Sequence, residues 1–146
     1  MTRILVGYDG TEAGKAALER AIEEARSTHD KITVLSVVNM PLEPDAPRNF
    51  GTLDDIAPGE GGPLTPPPEV VEHLREAREI LGESGLEPDL MWAAGNPAHE
   101  IVESAKQINA RVIVIGKHHH GLLSDVMGGD VDTNVRHEAG CEVILA

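Results

Sequence analysis

Short apolar runs rich in β-branched residues, separated by stretches with helical spacing, confine this chain to a small set of folds. Arg3 to Tyr8 (RILVGY), Ile32 to Val38 (ITVLSVV) and Val112 to Ile115 (VIVI) have the pattern of strands buried on both faces. Leu90 to Ala94 (LMWAA) and Cys141 to Ala146 (CEVILA) add two more strand candidates. Between the first two strands, Ala13, Ala17, Ala21 and Ala25 recur every four residues with Leu18 and Ile22 beside them, which predicts a helix over Thr11 to Thr28 packed closely on a sheet. A second helix should open at Pro67 or Pro68 and bury Val70, Val71, Leu74, Ala77, Ile80 and Leu81 before Gly85 stops it. Asn96 then Pro97 reads as a cap and first position, and Ile101, Val102, Ala105 and Ile108 supply that helix's apolar face. Asp130 can cap a last short helix.

The resulting order is βαβαβαβαβ. Strands alternating with helices imply right-handed crossovers, hence an α/β fold with an open five-stranded parallel sheet and helices on both faces. Ligands of such sheets sit at the carboxyl ends of the strands, beside the point where strand order reverses. One stretch departs from the rhythm. Asn39 to Pro66 carries six prolines and several glycines with no sustained period, so it is expected to be a long loop. At 146 residues the chain fits one domain spanning 1–146, large enough to bury a core without disulfides or metals.

Charge narrows the partners. With 12 Lys and Arg against 25 Asp and Glu, the formal net charge of -13 repels phosphate backbones and anionic membranes, so neither nucleic acid nor membrane is expected as a partner. No apolar run approaches the roughly 20 residues of a membrane-spanning helix. The start, MTRILVGYDG, goes from a charge straight into a strand without the longer apolar region of a signal peptide, which with a lone Cys141 reads as a cytoplasmic chain.

Two segments could carry chemistry. Gly7-Tyr8-Asp9-Gly10-Thr11 is a glycine-rich turn from the first strand into a helix, suited to polar ligand groups, although Gly10 and Thr11 would also serve simply to turn the chain and cap the helix. Gly116-Lys117-His118-His119-His120-Gly121 follows the VIVI strand and leads to Gly129-Asp130. The histidine triplet is read as a polar loop rather than a metal site, because adjacent residues do not converge on one ion and no cysteine pair supports them. No nucleophile and base form a set, so the chain is expected to bind rather than catalyse.

The opening ILVGYDGT, the strand ITVLSVV, the run RVIVIG, and the ending with Gly129, His137 and CEVILA resemble the universal stress protein family in order and spacing over nearly the whole chain. In the ATP-binding members of that family, the loop after the fourth strand reads Gly, two residues, Gly, nine residues, Gly, then Ser or Thr. The resemblance assigns Gly116 and Gly129 to the first and third glycines, puts His119 where the second would stand, and puts Asp130 in place of the hydroxyl residue. It further implies that Gly7 and Asp9 face the adenosine part of a nucleotide, Val37 the adenine ring, and Val131 the last contact.

The two departures have physical consequences. His119 adds a side chain where a phosphate would approach the backbone. An ionised Asp130 lacks a proton to donate, and about 4 Å from a phosphate charge it would repel by roughly 4 kcal/mol at an effective dielectric of 20, before screening. The resemblance therefore implies a cytosolic regulatory or protective binding domain, homodimeric through the edge strand Cys141 to Ala146, with weakened adenine-nucleotide phosphate contacts. Two alternatives stand beside it: an ATP or ADP sensor compensated by His119, His120, Lys117 or a bridging divalent ion, and a dimer module that binds protein partners without nucleotide.

Overall fold

A computed structural model describes residues 2–38, 51–52, 66–117 and 131–146. Among these residues the elements in chain order are β1 (Arg3–Gly7), α1 (Glu12–Thr28), β2 (Lys31–Val38), β3 (Gly51–Thr52), α2 (Pro68–Glu83), β4 (Asp89–Ala94), α3 (Pro97–Ile108), β5 (Ala110–Ile115), α4 (Val131–Glu138) and β6 (Glu142–Leu145). The sheet order is β3-β4-β2-β1-β5-β6. Five strands run parallel, as the alternation of strands and helices requires. The short β3 is an addition to the expected five: it pairs antiparallel with β4, Gly51 opposite Trp92 and Thr52 opposite Met91. Two residues carry no alternation, so this strand left no periodic signal in the proline-rich stretch. The remainder of that stretch up to residue 65 lies outside the described residues.

Each face of the sheet has its own core. Ile4, Val6, Val34, Leu90, Val112 and Val114 pack under α1 and α2, meeting Ala17, Leu18, Ala21, Leu74, Ala77 and Leu81. Leu5, Leu35, Met91, Ile113 and Ile115 point the other way, onto Ile101, Val102 and Ala105 of α3 and Val135 of α4. This split follows from the period of two along each strand. Alanines on α1 let that helix lie close to the sheet, and Ala17 and Ala21 are fully buried.

Local chemistry sets the helix ends. Thr11 caps α1 by accepting from the Gly14 amide at 3.1 Å, and Asn96 caps α3 by accepting from the His99 amide at 3.1 Å. Gly85, with φ +76, follows the end of α2 in the left-handed region. The expectation for Asp130 as a cap lies outside the described residues.

Candidate functional site

The chain moves outward from the central β1 through β2 to β4, then crosses back to β5 on the other side of β1. Strand order therefore reverses between β1 and β5, and a crevice is expected at their carboxyl ends. Gly7 ends β1, Asp9 lies two residues beyond it, Val37 is next to last in β2, and Gly116 directly follows β5. Four of the residues singled out in the sequence thus share one rim of the sheet. Val131 opens α4, whereas His119, Gly129 and Asp130 lie outside the described residues.

Packing alone accounts for two of the glycines on this rim. A Cβ on Gly7 would come 3.2 Å from Ile115 Cγ2, and one on Gly116 would run into the carbonyl of Ala13 in the first turn of α1. A side chain at Gly116 would push the end of β5 away from α1, and one at Gly7 would press on Ile115 and on Ile101 of α3. The start of the loop after Gly116 is also tied down, since the Lys117 amide donates to the Ala146 carbonyl at 3.0 Å and the Ala146 amide to the Ile115 carbonyl at 2.9 Å. Lys117 itself is exposed beside the rim.

Asp9 is exposed at the tip of the turn. Its Oδ1 accepts from the Thr11 amide at 3.1 Å and from the Thr11 hydroxyl at 2.5 Å, which closes a tight Asx turn onto the positive end of α1. Gly14 leaves room for this, because a Cβ there would lie 2.8 Å from Asp9 Oδ1. Val37, half-buried, packs on the α3 side of the sheet and offers an apolar surface at the same rim.

Tyr8 points to the opposite face and is 3 % exposed. Its hydroxyl donates to Glu76 on α2, and burial first, then that carboxylate, push the phenol well above its ordinary pKa. His73, one turn earlier on α2, meets the Tyr8 ring edge-on and lies against Gly10. Nothing local in the sequence announces this cluster; the Tyr8 and Glu76 partners stand 68 positions apart. A rim of this composition can hold a ligand with a flat apolar part against Val37 and polar groups at Asp9 and the α1 turn.

Among the described residues no three His, Cys, Asp or Glu side chains converge as metal ligands, and no helix is long and apolar enough to cross a membrane. Cys141 is half-buried against the α3 and α4 core, and burial with the neighbouring Glu142 raises its thiol pKa. In this setting the side chain packs as a small apolar group.

The sequence model of the universal stress protein family matches residues 1–146. Among curated proteins, the stress response protein NhaX of Bacillus subtilis is 28% identical over 159 residues, covering 98% of this chain and 96% of its own length. A universal stress protein solved in complex with cAMP superposes with a TM-score of 0.70 at 20% identity, covering 99% of this chain and 95% of its own. The universal stress protein from Archaeoglobus fulgidus in complex with dAMP gives 0.67 at 22%, covering 99% and 97%. With the family pattern running through the whole sequence and the same α/β architecture in those structures, this chain belongs to the universal stress protein family.

Proposed function

We propose that this chain is a single-domain regulatory or protective protein of the cytoplasm that works by binding an adenine nucleotide rather than by catalysis. The observation that carries this reading is the gathering of Gly7, Asp9, Val37 and Gly116 at the carboxyl ends of β1, β2 and β5, where strand order reverses. The cAMP and dAMP complexes of similarly folded proteins support adenosine as the ligand class. In this reading Val37 lies against the adenine, Gly7 and Asp9 face the adenosine, and Gly116, His119, Gly129, Asp130 and Val131 form the phosphate side.

His119 and Asp130 make that phosphate side inhospitable, so affinity should fall as phosphates are added in the absence of metal. Calorimetric titration with AMP and ATP, each with and without magnesium, tests this. Wild type should bind AMP more tightly than metal-free ATP, and Asp130→Ser and Asp130→Asn should each raise metal-free ATP affinity by about tenfold after screening. A gain with Ser alone would assign the effect to the hydroxyl, and a gain with both to the charge. Tight metal-free ATP binding by wild type, weakened by both substitutions, would make Asp130 a contact and favour the ATP sensor.

The same reading includes a homodimer through β6. Among the described strands β6 ends the sheet, where unpaired backbone groups offer a template for a second chain. Its two faces are both apolar: Val143 and Leu145 pack toward α3 and α4, and Ile144 toward the α1 and α2 core.

A further inference from the structure

Resting on that reading of the site, we propose that His73 on α2 is a positioning residue for Asp9, acting through the Gly10 turn. Gly10 has φ +80, a conformation that side-chain-bearing residues adopt only with strain. Here the missing side chain also makes room. A Cβ at residue 10 would lie 2.8, 3.0 and 3.6 Å from Nε2, Cδ2 and Cε1 of His73, so the imidazole covers the Gly10 Cα. The same ring stands edge-to-face with Tyr8, centroids 6.3 Å apart and planes at 84°.

Glu76 completes the grip from the next turn of α2, since residues three apart share a helix face. It accepts from the buried Tyr8 hydroxyl, and its Oε1 lies 4.0 Å from Lys15 Nζ in α1. Lys15 in turn lies 3.6 Å from Glu12. Residues 8, 10 and 15 are therefore all held by one face of α2, and Asp9 sits between the first two. Leu74 and Ala77 on α2 are fully buried in the sheet's core, which makes the helix a fixed platform. A binding side chain is only as well placed as the groups that support it. Asp9 is supported locally by Thr11, and the turn that carries both is supported by His73.

A double-mutant cycle decides the matter. AMP is titrated into wild type, His73→Ala, His73→Phe, Asp9→Ala and the His73→Ala, Asp9→Ala double variant. His73→Ala should weaken AMP by about fivefold, His73→Phe should restore affinity to within about twofold because a flat ring again covers Gly10, and His73→Ala should have no further effect once Asp9 is gone. Equal losses from His73→Ala in both backgrounds would overturn the proposal. So would an unrestored His73→Phe.

Amide hydrogen exchange provides a readout that needs no nucleotide. The Thr11 amide, which donates to Asp9, should exchange faster in His73→Ala, while the Tyr8 amide, bonded to the Leu35 carbonyl at 3.0 Å, should keep its rate. Unchanged Thr11 exchange would overturn the positioning role. If wild type binds no AMP at all, the assignment of the site falls, while faster Thr11 exchange still shows that His73 holds the turn.

Discussion

The two rims of the parallel sheet are built from opposite materials. At the amino ends of the strands, charges from β1, β2, β4 and β5 cross-link their neighbours. Asp30, just before β2, accepts from the hydroxyls of Thr2 and Thr28 and from Arg111 Nε at 2.8 Å, and Arg111 also faces Glu24 and Glu142. Arg3 meets Asp89 at 2.6 Å with Lys31 3.4 Å from the same carboxylate. The pairing of β1 with β5 slips between Arg3, opposite Ala110, and Ile4, opposite Val112, so Arg111 is an extra residue free of the regular register. That slip aims it at Asp30.

At the carboxyl ends stand glycines, tight turns and the exposed Asp9 and Lys117. On the proposed reading of the site, the difference divides ligand binding from stability across the sheet. Charges that answer one another inside the fold have spent their interaction energy on holding strands together. Backbone brought close at glycine turns, beside the amino end of α1, is instead suited to a polar ligand. Substitutions at the amino rim should therefore change stability and leave nucleotide affinity alone.

The largest effect is expected at Gly116 on the carboxyl rim. Gly116→Val pushes a branched side chain into the Ala13 carbonyl, backbone that cannot step aside without moving α1. Overpacking of this kind should destabilise by about 3 kcal/mol, measured by urea denaturation. A loss under about 1 kcal/mol would mean that α1 yields easily, and would remove the packing account of Gly116.

Next comes Asp30, the hub of the amino rim and only 9% exposed. Burial alone would raise its carboxyl pKa; the bonds from Thr2, Thr28 and Arg111 outweigh it and hold the group below the usual carboxylate range. Asp30→Ala should cost about 2 kcal/mol, with AMP affinity unchanged. Because the folded pKa is the lower one, the stabilisation is fully present above the unfolded value near about pH 4 and is lost as pH falls through the folded value. Asp30→Asn should therefore lose less stability than wild type as pH falls below about 4. Equal acid sensitivity of the two proteins, or an altered AMP affinity, would break the division between the rims.

What was legible in the sequence was what repeats locally. The Ala17, Ala21, Ala25 stripe and the Asn96-Pro97 start are set by neighbours within a turn or two, and both stand in the structure. Rim residues Gly7, Val37 and Gly116 were joined through the family resemblance, and the parallel sheet sets the ends of β1, β2 and β5 on one rim. The reason for the glycines could not be read, since Ile115 and Ala13 crowd them from distant parts of the chain. For the same reason nothing local marks His73, which meets Tyr8 and Gly10 from a distant helix. The α3 pattern likewise hid Glu100 and Ser104, polar residues that are 3% and 0% exposed on a face expected to be apolar.

The smallest effect should come from Asp89, whose partner is geometrically close but wet. The Asp89 and Arg3 side chains are each 38% exposed, so solvent screens the pair despite its 2.6 Å contact. Lys31 adds a second cation on the same carboxylate, and the bonds and charges of Arg3 and Lys31 lower the Asp89 pKa against the opposing pull of burial. Exposed pairs typically contribute about 0.2 to 1 kcal/mol, so Asp89→Asn should destabilise within that range, and less so in molar salt. Comparing urea denaturation of the two proteins in low and high salt isolates the screened part. A loss above about 2 kcal/mol, insensitive to salt, would show that this corner of the amino rim behaves like the buried Asp30 hub. Exposure would then be the wrong guide to which charges hold the strands together.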